Sequence, residues 1–391
     1  MGVRARAVAA LCLLLAGGCA SKAPLTDEQL KLLARGDTYL SGEVKQLKRD
    51  AVLDAGGLAT AVGASRHGEL VAFATLTGDD AVLNAIDRTG SPKRLWAQRV
   101  NAGRRPVEAV EVSPDGAWVV SAGRDGFARA FRGKSGVPGA ALGLRQPLTA
   151  LALRWDGAQL AVGTAQGRVV VTTFPGLEVV AQAELHGGQE VRGLAYRADG
   201  AIVSGGWDRS LVVSRQRGGD LLEERRRALE QYVNDVQVGG AAVAVALSAS
   251  PAERPAGEMA AFEEPSPANA AALLDDFTLE EVARPVHHRG PVSTVAMAPD
   301  GVVFASGSLD GRVLVEQRDA APSVTPLGLE VDWFVRRARF TRDARYLLVA
   351  AWVQPPLTEK SQPAPDVTVE ELVRKAPEVV REPPHPDVES R

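Results

Sequence analysis

Gly133-Lys134-Ser135 is where the sequence comes nearest to a phosphate-binding loop, in which glycine amides cradle phosphate and a lysine meets its charge. The glycine such a loop needs five residues earlier is Ala128, and no helical pattern follows. His287 and His288 offer imidazole, a common metal ligand, yet neighbours on an extended segment point to opposite sides. Asp125, Asp208 and Asp310 each stand in a short polar or Gly turn. There an aspartate bonds to nearby backbone N–H groups, a turn role rather than an acid or base role. Gly-x-Ser-x-Gly, His-Glu-x-x-His and Asp-rich calcium loops do not occur. The reading is therefore no enzyme, no metal and no cofactor.

Cysteine is the remaining reactive residue, and it is confined to Cys12 and Cys19. The chain opens with Arg4 and Arg6, continues apolar from Ala7 to Ala16 and reaches Gly17-Gly18-Cys19. A basic start, an apolar run of about ten residues and small residues before a cleavage point make an export signal, too short to span a bilayer. The exported part then holds no disulfide and no thiol for catalysis or metal, so its stability must come from a large core.

Leu15-Ala16-Gly17-Gly18-Cys19 resembles the lipobox of bacterial lipoproteins, with Ala16 where that box has leucine. The resemblance implies removal of residues 1–18 and acylation of Cys19, by palmitate among other chains. Several acyl chains, at about 0.8 kcal/mol per buried methylene, hold a protein on a membrane. Ala20, in place of the aspartate that retains lipoproteins at the inner membrane, implies the periplasmic side of the outer membrane.

Positioning elements are written in a repeat. Val107-Glu-Ala-Val-Glu-Val-Ser-Pro-Asp-Gly116 is followed by Ala117-Trp-Val-Val-Ser-Ala-Gly-Arg-Asp-Gly126 and Phe127-Ala-Arg-Ala-Phe131, strand-like runs closed by Gly turns. Copies begin at Leu148, Val191 and Val292, and weaker ones cover Ala59 to Asp87, Val233 to Ser248 and Arg336 to Val353. Aligning the first turn gives Gly68, Gly116, Gly157, Gly200, Gly240, Gly301 and Ala344, spaced 48, 41, 43, 40, 61 and 43 residues apart. A period near forty signals a repeat architecture. Short strands of this kind have two partly apolar faces, and stacking the units in a ring buries both.

The pattern resembles WD-repeat propellers, most closely at Phe304-Ala-Ser-Gly-Ser-Leu-Asp-Gly-Arg-Val-Leu-Val. That implies an all-β, seven-bladed β-propeller of four-stranded antiparallel blades. The family's closing Trp-Asp is missing, its place held by Phe131, Phe174 or polar residues. Its opening Gly-His survives as His186-Gly187 and His287-His288-Arg-Gly290, so most of the family's side-chain network is expected to be absent. Ring closure has two solutions: Val44 to Leu53 pairs onto the last blade, or the tail supplies outer strands through Val367–Leu372 and Glu378–Arg381.

Thr26-Asp-Glu-Gln29 with Leu30, Leu32 and Leu33 reads as a capping box opening a short helix, so residues 19–43 form a tether. The propeller occupies 44–382. Within it, residues 249–268 form a Pro-, Glu- and Ala-rich insertion between the second and third strands of one blade, resumed by Ala270–Phe277 and Leu279–Ala283. Gln354 to Pro365 fills the same loop of the last blade, and 383–391 reads as a disordered tail.

Net charge is only −3 and interspersed, which argues against a nucleic-acid partner. The innermost strands, Val110-Glu-Val, Leu151-Ala-Leu, Leu194-Ala-Tyr and Val295-Ala-Met, read as mostly apolar, so no small-molecule substrate is expected. The function that follows is a lipid-anchored envelope scaffold binding a protein partner; the alternative is an enzyme or ligand sensor using the central channel. Trp207, Met259, Phe262 and Trp352 are the expected partner contacts, carried on loops that leave one face.

Overall fold

The computed structural model describes residue 29, 38–41, 44–103, 105–252, 264–284, 288–318, 327–330, 334–352, 366–374 and 377–382. Cys19, Met259 and Phe262 lie outside these residues, as do the export signal and the predicted helix apart from Gln29. No helix among the described residues is long and apolar enough to cross a membrane.

Strands fill the described chain and pair almost wholly with their sequence neighbours, antiparallel, as a meander requires. Five separate four-stranded sheets are joined by an eight-stranded one. The latter is two four-stranded blades touching through the single parallel pair Gln182 and Asp220. In each blade the first strand in sequence is innermost. Val107–Val112, for example, pairs within its blade only with Trp118–Gly123. Strands such as Leu148–Leu153 are buried along their entire length. That follows from stacking blades on both faces, and it explains the supply of Ala and Val where two sheets must approach closely.

The aligned turns are where the repeat predicts them, each between a blade's first and second strands. All have positive φ: Gly68 70°, Gly116 68°, Gly157 71°, Gly200 81°, Gly240 53°, Gly301 69° and Ala344 56°. Only Ala344 meets this left-handed requirement with a Cβ, which costs about 1–2 kcal/mol.

Ring closure combines both expected solutions. Asp366–Arg374 is the third strand of the last blade, and Val44–Asp54 pairs with it as the fourth, Leu47 opposite Leu372 and Leu53 opposite Val367. The chain's start thus completes the blade that its end began. Glu378–Arg381 does not join the ring but pairs with Thr38–Ser41 in a separate two-stranded sheet. Leu40 N–H donates to Asp343 O at 2.9 Å, and Arg66 donates to Thr38 O at 3.2 Å and to Glu382 at 2.6 Å. The small sheet is therefore docked on the turns at 65–69 and 341–345.

The blade that carries the insertion resumes at Ala270–Asp275, as expected. Its fourth strand is shorter than the sequence suggests, Glu281–Ala283, because Leu279 turns with a φ of 60° and is fully buried. Ala252 is buried with Leu309 and Phe334, and its N–H donates to Asn234 Oδ1 at 3.1 Å.

Candidate functional site: the charged mouth of the channel

Every innermost strand carries a register shift at its second or third residue, where one residue bulges out of the ladder. The skipped residues are Thr60, Glu108, Thr149, Arg192, Asn234, Ser293 and Arg336, all polar. A bulge frees a residue from the alternation of the strand and re-aims its side chain. Thr149 Oγ1 donates to Val191 O at 2.6 Å and Asn234 Nδ2 to Val292 O at 2.9 Å, while Ser293 Oγ donates to Val335 O. Each of these clamps one blade to the next.

The charged bulge residues instead reach across the channel. Arg124 grips Glu190 with two bonds, Nη1 to Oε1 at 2.8 Å and Nη2 to Oε2 at 3.1 Å, and donates through Nε to Glu108 Oε1 at 2.9 Å. Arg192 Nη1 lies 3.3 Å from Glu190 and 3.6 Å from Glu108, and Arg336 Nη2 lies 3.8 Å from Glu108. Three blades that are not neighbours are thus tied at one mouth. Burial alone would raise the Glu108 carboxyl, but Arg192, Arg336 and Arg124 outweigh it and hold it at about 2. Arg336 is drawn down to about 10 by burial, with Arg192, Arg337 and Arg124 adding to the effect against Glu108.

Deeper in the channel, Asp235 is buried and accepts from Arg339 Nη1 at 2.8 Å and Nη2 at 3.3 Å, and from Thr294 Oγ1 at 2.7 Å. Burial would raise its pKa, yet Arg339 and Arg337 hold it below the usual value. The free space on the axis is about 10 Å³, room for about one water. The expectation of an apolar channel is overturned: Glu108, Glu111, Asp235, Arg192, Arg337 and Arg339 line it or close it. The sequence contained the signal, since in every copy but the one at Gly240 the bulge residue lies eight places before the aligned turn. The quoted strand cores begin two residues past it.

Trp207 follows the second strand of its blade, at this same mouth. It is half-buried, its indole N–H donates to Asn234 Oδ1 at 3.1 Å, and the Arg192 guanidinium lies 5.1 Å from its ring. It is less free than a turn position suggests. Trp352 ends the strand Tyr346–Trp352, opposite Phe334, where residues 353–365 leave. Its side chain is outside the description.

His186 and His288 are structural. His186 is fully buried, with Nδ1 2.9 Å from Asp208 and Nε2 2.8 Å from Ser204. His288 has Nδ1 3.4 Å from Asp310 and Nε2 2.8 Å from Ser306. With the carboxylate accepting, the ring proton is assigned to Nδ1 and the serine donates to Nε2. Burial opposes ionisation of Asp208, but its histidine and serine partners prevail and lower its pKa. The His–Ser–Asp part of the family's side-chain network is thus present in these two blades, where the opening histidine survives, without the closing tryptophan. The turn role of the aspartates holds: Asp125, Asp208 and Asp310 accept from Phe127, Ser210 and Arg312 N–H. Lys134 lies in the turn between Phe127–Arg132 and Pro138–Gly143, followed by a strand and not a helix. No group of His, Cys, Asp and Glu among the described residues could hold a metal.

A family model described as "WD domain, G-beta repeat" matches residues 98–131 and 280–315. Each match starts at the outermost strand of one blade and runs through the first three strands of the next. This chain has a β-propeller fold and carries two WD repeats. The offset between repeat and blade leaves one outer strand missing at the ring's end, which Val44–Asp54 supplies. A chain of the "Crystal Structure of Mitotic Checkpoint Complex" superposes with a TM-score of 0.64 at 17% identity, covering 84% of this chain and 95% of that one. No curated protein matches the sequence.

Proposed function

We propose that this propeller has seven blades and works as a lipid-anchored envelope scaffold, acylated at Cys19, that binds a protein partner and catalyses no reaction. The reading rests above all on the channel, whose charged groups close over it and leave about 10 Å³. A pocket for a small substrate is commonly about 300–1,000 Å³. The surfaces left for recognition are the loops and rims, and the similar chain in the mitotic checkpoint structure is itself part of a protein complex. Anchoring is supported by the sequence from Arg4 to Cys19.

The competing reading, a channel enzyme or ligand sensor, draws support from the convergence of Arg192, Arg337, Arg339, Asp235 and Glu111 on the axis. The two separate experimentally. Cys19→Ser is expected to release the folded protein from membranes into the soluble periplasm, and the detergent-solubilised wild type is expected to retain a protein partner through purification. Unchanged membrane fractionation would refute the anchor. A wild type that emerges alone while binding a small molecule would favour the channel.

A further inference from the structure

The charges around the axial cavity do not balance. Its lining brings together Arg192, Arg337 and Arg339 with Asp235 and Glu111. Asp235 is saturated: Arg339 takes both its oxygens, and Thr294 Oγ1 and the N–H groups of Val236 and Val295 take the rest. Arg339 in turn also donates to the carbonyls of Ala338 and Val295. Arg337 is 5% exposed, its guanidinium makes no hydrogen bond among the described residues, and its Nη1 is buried without one. Its nearest carboxylate oxygen, Asp235 Oδ2 at 3.3 Å, is already held by Arg339. Arg192 faces the same space with a buried Nε that has no partner, its Nη1 being engaged by Glu190.

We propose that the channel binds one small monovalent anion, chloride, held between the guanidinium groups of Arg337 and Arg192. Arg337 must share the Asp235 carboxylate with Arg339; a buried cation that is not fully compensated is destabilising, and water cannot supply the missing charge. Size selects among anions, because a space for about one water admits a halide and excludes phosphate or sulfate. The donor set is suited as well, since guanidinium offers only N–H groups. Burial pushes the Glu111 carboxyl above its usual range, against Arg339 and Arg342. The site would serve the ring's stability.

The test replaces gluconate by chloride or bromide at constant ionic strength and follows thermal unfolding of the full chain. A ligand that binds only the folded ring stabilises it by mass action, so about 300 mM halide is expected to raise the wild-type Tm by about 2–4 °C. Arg337→Gln should lose this rise, whereas Arg99→Gln, on the surface, should keep it. Bromide-soaked crystals give a readout that does not depend on the variants folding: an anomalous peak on the axis beside Arg337 is expected. Absence of both the halide-specific rise and the peak would overturn the proposal, as would a rise undiminished in folded Arg337→Gln.

Discussion

The two ends of the ring are built on opposite principles. At one end the blades' first turns are tight and glycine-rich, and the chain's own Thr38–Ser41 and Glu378–Arg381 are docked on them. At the other, the loops between second and third strands vary in length and include the insertion around 249–268 and residues 353–365. At this end lies the ion-pair network of Glu108, Arg124, Glu190, Arg192 and Arg336. A sequence repeat fixes the first end, because a left-handed turn admits few residues. It leaves the second end free to differ from blade to blade. The proposed anchor would reach the ring through Thr38, at the closed end.

The largest effect is expected from breaking the network. Glu108→Gln removes the carboxylate shared by Arg124, Arg192 and Arg336 and leaves Glu190 to face Arg124 and Arg192, at a cost of about 3–5 kcal/mol, read from a denaturant midpoint. The pH dependence carries the same signature. Glu108 titrates at about 2 in the folded protein against an ordinary 4.5. The stability it contributes is complete above pH 4.5 and is lost as pH falls toward 2. The advantage of wild type over Glu108→Gln should shrink through that window, and a constant difference would mean the carboxylate is not what holds the mouth.

A smaller loss is expected at the closed end. Removing residues 377–391 uncovers the buried Tyr39 and Leu40 and deprives the buried Arg66 of Glu382, for about 2–3 kcal/mol. The ring itself should survive, since its closing strand, Val44–Asp54, pairs with Asp366–Arg374. Loss of cooperative unfolding in this truncation would show that the small sheet belongs to the closure.

The smallest effect tests the turns. Ala344→Gly relieves a Cβ at φ 56° and should gain about 0.5–1 kcal/mol, the strain removed exceeding the added chain entropy. No gain would mean that the packing of Ala344 on Leu347 and its neighbours outweighs the backbone term.

These contrasts also explain what could be read in advance. The turns from Gly68 to Ala344, the third strand Ala270–Asp275 and the placement of both long loops were legible, because glycine turns and apolar strands impose a local pattern. The channel was not. Glu108, Arg192 and Arg336 occupy bulges, where the period of two that marks a strand is interrupted, and a charged residue beside valine reads as solvent-facing. Their partners come from distant blades: Arg124 and Glu190 are 66 residues apart. The histidines were marked by their surviving motif, but not their partners, since His288 and Ser306 meet only once the blade is folded.

The central claim, that the variable end recognises a protein, is tested most directly by affinity recovery from detergent-solubilised membranes. Wild type and Ala344→Gly should recover a common partner equally. A folded variant combining Trp207→Ala with deletion of 253–263 should recover it at least about tenfold less, equivalent to about 1.4 kcal/mol. Equal recovery by that variant would contradict the account and move the binding surface elsewhere on the ring.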